Sequence, residues 1–113
     1  MDKEPVVLCG ASTYEQKFYF NPEFKALPQQ IQDELKIVCV IFTSQISCVL
    51  TLEFDEEGNL DFVVRQNDDY AFDEIGSALK IKELQRTKKE LWEELELYYK
   101  VFFLGMKIEE IDQ

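Results

Sequence analysis

Twenty-three carboxylates, three thiols and five phenols are the side chains with which this chain could do chemistry, and histidine is absent. Without an imidazole, Ser-His and Cys-His nucleophile pairs, His-rich zinc sites and the HExxH helix are excluded. Acid or base work would fall to carboxylates, Lys, Tyr or Cys. Adjacent carboxylates occur at Asp68-Asp69, Asp73-Glu74 and Glu93-Glu94. Neighbours in a helix diverge, because i and i+1 do not share a face, and in so acidic a chain such pairs arise by chance. They define no catalytic dyad, and no catalytic residue is assigned.

The run Asp55-Glu56-Glu57-Gly58-Asn59-Leu60-Asp61 invites a calcium reading. An EF-hand sets Gly at loop position six and a bidentate Glu at twelve. Counted from Gly58, the twelfth position is Val64, and the flanks read as strands. An acidic hairpin turn is the better reading, with Gly58 supplying a positive φ. Glu74-Ile75-Gly76-Ser77-Ala78-Leu79 fails the phosphate-loop pattern GxxxxGK[ST], so its small residues read as close packing. Cys9, Cys39 and Cys48 are odd in number and lack CxxC spacing, which makes neither a disulfide framework nor a zinc knuckle. Cys9 and Cys39 lie in apolar runs, where cysteine acts as a small hydrophobe. No metal or cofactor follows from these residues.

The unusual feature is segregated charge. Lys80, Lys82, Arg86, Lys88 and Lys89 against Glu83 give +4 over ten residues, and Glu90, Glu93, Glu94 and Glu96 give −4 over the next seven. One reading is pairing within a helix, Arg86 with Glu90, Lys89 with Glu93 and Glu96 with Lys100, at ~0.2–0.5 kcal/mol each. The other is self-association. Two copies crossing antiparallel near Lys89 would set basic block on acidic block, with Leu84, Leu91, Leu95 and Trp92 as the seam, the self-complementarity that a twofold interface needs. Trp and Tyr are enriched at interfaces. The candidate interface is therefore Arg86, Lys89, Leu91, Trp92, Glu93, Glu96 and Tyr99.

The elements that must position these residues follow from periodicity. Val6–Ala11 and Lys17–Phe20 read as a first hairpin, with Phe18 and Phe20 on one face. Pro28 suits a helix start. Ile31, Leu35, Val38 and Phe42 recur at helical spacing to about Ser44. The second half, Ile37–Phe42, is apolar all round, which predicts burial on more than one side. Leu50, Leu52 and Phe54, then Leu60, Phe62 and Val64, alternate about the Gly58 turn as a second hairpin. Residues 66–69 read as a loop, Tyr70-Ala71-Phe72 as a short strand or helix lead-in, and Asp73 as an N-cap. A helix follows from Ile75 toward a stop at Gly105. Thirty residues would span about 45 Å, so it either projects or breaks near Gln85–Lys89, where the apolar stripe thins. The expected class is α+β, in the order β-β-α-β-β-α: an antiparallel four-stranded sheet with two helices on one face, the C-terminal one long.

At 113 residues and 46% hydrophobic content the chain makes one domain, 1–113, with flexible tails at 1–5 and 106–113. The net charge of −11 repels polyanions, which argues against nucleic acid and anionic membrane partners. The longest apolar run, Ile37–Phe42, is far short of the ~20 residues needed to cross a bilayer. The N-terminus carries no secretory pattern, and a cytoplasmic protein is expected.

Tyr14–Asn21, Leu27–Lys36, Asp73–Lys82 and Leu97–Gly105 resemble an uncharacterised family of short acidic proteins from anaerobic Firmicutes, over roughly Val6 to Gly105. The resemblance implies a bacterial cytoplasmic origin and one compact domain, with no activity to carry over. The functional expectation is a non-catalytic interaction or regulatory module, homodimeric through the last helix. The alternatives are a small-molecule-binding domain or carboxylate-based enzyme, and an acidic mimic of nucleic acid.

Overall fold

A computed structural model of the chain describes residues 4–66 and 74–110. The readings for 67–73, including Tyr70–Phe72 and the Asp73 cap, lie outside the described residues.

Strands β1 (Val6–Ser12), β2 (Lys17–Phe20), β3 (Val49–Phe54) and β4 (Leu60–Arg65) form one antiparallel sheet in the order β2-β1-β3-β4. The two hairpins therefore meet by their first strands, a pairing between residues about forty positions apart that no local pattern encodes. Gly10 belongs to this central seam. A Cβ there would stand 2.9 Å from both the Leu50 carbonyl oxygen and Thr51 Cγ2. In the β3–β4 turn, Gly58 has φ +90°, and the Asp55 carboxylate accepts from the N–H groups of Glu57 and Asn59, both at 2.9 Å. The carboxylate that suggested calcium is a turn-former.

The register sets Phe18, Phe20, Cys9, Ala11, Leu50, Leu52, Phe54, Leu60, Phe62 and Val64 on one face of the sheet. Helix α1 (Gln29–Gln45) meets this set through Cys39, whose sulfur lies 3.9 Å from that of Cys9. Pro28 stands at the N-cap, one position before the helix, rather than in its first turn. On the other face, Thr51 Oγ1 donates to Glu53 Oε2 at 2.7 Å, and Arg65 donates to Thr51 Oγ1 at 3.2 Å.

The single long C-terminal helix is replaced by two, so the described residues hold three helices where two were expected. Helix α2 (Glu74–Thr87) and helix α3 (Lys89–Phe102) are separated at Lys88, whose φ is −117° and ψ 31°. The thinning stripe at Gln85–Lys89 marked the place. Two donors end α2 on one carbonyl: Leu84 O accepts from Lys88 N–H at 3.1 Å and from the Trp92 indole N–H at 3.0 Å. That indole also meets Phe62 edge to face, with ring centroids 4.9 Å apart. Tyr99 stacks on Phe54 at 4.2 Å, and Phe24, from a 3₁₀ turn at Pro22–Phe24, stacks on Phe103 at 4.7 Å. Aromatic contacts of this kind hold α3 against the sheet, each worth about 0.5–1.5 kcal/mol beyond area burial. Past α3, Gly105 has φ +71°, and Met106 N–H closes on Lys100 O at 2.9 Å. A 3₁₀ turn follows at Ile108–Glu110.

Candidate functional site

The residues expected at the self-association seam are already used within the chain. Leu91, Trp92, Leu95 and Tyr99 are buried in the hydrophobic core. Of the other candidates, Arg86, Lys89 and Glu93 are exposed. Glu96 is half-buried, and its carboxylate accepts the Leu60 N–H at 2.8 Å, covering the start of the outer strand β4. Lys89 and Glu93 form their i,i+4 pair at 3.9 Å, both largely exposed, which is worth little. The break at Lys88 also removes the straight rod on which the antiparallel crossing depended.

Apolar surface instead lies open on α1. Ile37 is 57% exposed, Ile41 51% and Val40 43%, although Ile37–Phe42 was expected to be buried on more than one side. The reason is geometric. Successive residues on a helix turn by 100°, so the single sheet face takes Leu35, Val38, Cys39 and Phe42 and leaves Ile37, Val40 and Ile41 uncovered.

Ile37 and Ile41 face α2 across a groove of about 890 Å³, with Val38 and Phe42 from α1 and Leu84 from α2 also lining it. Polar side chains complete the lining: Asp33 and Glu34 from α1, Lys80, Glu83 and Thr87 from α2, and Lys88. Lys88 Nζ and Glu34 Oε2 are 2.8 Å apart and tie the end of α2 to the first half of α1. Asp33 accepts from Gln29 Nε2 at 2.9 Å. Sequence reasoning missed this groove. Its signal was present in the all-round apolar half of α1, which has more faces than one sheet can cover.

The thiols offer no chemistry. All three are buried. The hydrogen bond with Cys39 and then burial push the Cys9 thiol far up, and burial pushes Cys48 up to about 11. Such groups stay protonated and inert. Among the described residues no cluster of three or more His, Cys, Asp or Glu could hold a metal ion. Nor is any described helix long and apolar enough to cross a membrane.

Comparison with known proteins places the chain in a family. Residues 5–107 match the model of a family of unknown function, DUF6145, and the chain belongs to it. No curated protein and no solved structure matches the chain.

Proposed function

We propose that this chain is a non-catalytic protein-interaction module of the bacterial cytoplasm, and that the α1–α2 groove accepts an amphipathic helix. The observation that carries this reading is the pair Ile37 and Ile41, each more than half exposed along one wall of an apolar groove. Exposed contiguous apolar surface rimmed by polar residues marks interaction sites. Helix-in-groove recognition uses apolar anchors one helical turn apart. Asp33 and Glu34 beside the apolar pair favour an occupant whose basic residues lie one turn beyond its own anchors.

A titration of the full chain with a synthetic Leu/Lys amphipathic helix, followed by methyl NMR, tests the reading. Saturable shifts at Ile37, Val38 and Ile41 are expected. No shift, or shifts spread equally over the open sheet face around Tyr19 and Val63, would overturn it.

The groove volume favours a second reading, since about 890 Å³ lies within the ~300–1,000 Å³ of small-molecule sites. An apolar ligand would then occupy the same groove.

A further inference from the structure

The groove needs a helix with two apolar anchors and basic residues beyond them, and the chain itself carries one. This inference rests on the helix-accepting reading above. Ile75 and Leu79 of α2 are 76% and 62% exposed. Four residues apart, they form one ridge on the helix surface. Lys82 and Arg86, also exposed, continue the same ridge. Read from its N-terminal end, the ridge is apolar, apolar, basic. The α1 wall of the groove, read from its C-terminal end, is Ile41, Ile37, Asp33, again at four-residue spacing.

We propose that the occupant of the groove is α2 of a second copy of this chain, laid antiparallel to α1. Ile75 and Leu79 of one copy rest on Ile41 and Ile37 of the other, and Lys82 and Arg86 reach Asp33 and Glu34. Each copy carries both ridge and groove, so in the proposed dimer the contact is made twice about a twofold axis. The charge distribution supports this choice of partner. Two chains of net charge −11 repel in general, yet residues 80–89 hold five of the twelve basic residues, and part of that block lies on the ridge that meets the acidic wall. Local complementarity at the contact offsets a repulsion that salt screens over longer distances.

Sedimentation equilibrium of the full chain tests the proposal with Leu79→Glu, which spoils the ridge, and Ile41→Glu, which spoils the groove. Both positions are exposed, and far-UV circular dichroism checks that each variant is folded. A wild-type dimer is expected, with each variant weakening association at least about tenfold, as central apolar contacts do. An equimolar mixture of the two variants regains part of the dimer, because an intact groove on one chain then meets an intact α2 on the other. A dimer insensitive to both substitutions overturns the proposal, as does a mixture no more associated than its components. A wild-type monomer that still binds the Leu/Lys helix overturns the second-copy occupant while leaving the helix-accepting groove intact. A monomer that binds neither ends both readings.

Discussion

At Asp55 one side chain does three jobs: it accepts two backbone N–H groups, and it accepts from Asn59 Nδ2 at 3.3 Å. Burial acts to raise its carboxyl, but the hydrogen bonds from Asn59, Glu57 and Gly58 outweigh it and hold the group below the usual carboxylate range. Asp61 moves the other way, raised by burial and by the charges of Asp55 and Glu53. The depressed group stabilises the fold above its unfolded pKa, and that contribution is lost as pH falls through its folded value. The raised group favours the fold as pH falls through its own higher value, so the two partly cancel during acidification. Replacing Asp55 with Ala is expected to lower stability at neutral pH by about 1 kcal/mol, the net worth of a hydrogen bond or two. Urea denaturation measures it, and the deficit shrinks as pH falls through the lowered range in which the parent carboxylate itself takes up its proton.

Among the elements, the central pairing of β1 with β3 tolerates least. Alanine at Gly10 would press its Cβ on the Leu50 carbonyl and on Thr51, both at 2.9 Å. Backbone on one side and a branched side chain on the other leave little room to yield. Gly10→Ala is expected to lower stability by about 1–3 kcal/mol, the range for overpacking, measured as a fall in the thermal midpoint. The elements differ in how far they could be read beforehand. The second hairpin was legible to its turn, because alternation over Leu50–Phe54 and Leu60–Val64 is local and Gly58 marks the reversal. The β2-β1-β3-β4 order was not, because it depends on contacts between distant residues. The Lys88 break was legible in place but not in form, since Phe62 and the Leu84 carbonyl decide where Trp92 goes. The aromatics Trp92 and Tyr99 suited core and surface alike, and only Phe24, Phe54 and Phe62, all remote in sequence, assign them to the core. The open side of α1 was misread because an all-round apolar run does not state how many neighbours will arrive.

For the molecule as a whole, −11 on a body measuring 46 × 29 × 29 Å is a dense like-charge surface that opposes its own compactness. Three ion pairs join described residues, and one of them, Lys89–Glu93, is largely exposed on both sides. Screening should therefore relieve more repulsion than it costs in attraction. Raising sodium chloride from about 0.01 to 0.15 M, which shortens the screening length from about 30 to 8 Å, is expected to raise the thermal midpoint in calorimetry. A fall would mean that specific attraction outweighs the diffuse repulsion. The single tryptophan gives this molecule a further property. Its indole is buried against Phe62 and bonded to the last turn of α2, so its emission carries no mixture of sites. Light from one ring reports whether α2 and α3 are still joined. A fluorimeter can thus follow the hinge between the proposed docking helix and the rest of the protein with no label attached.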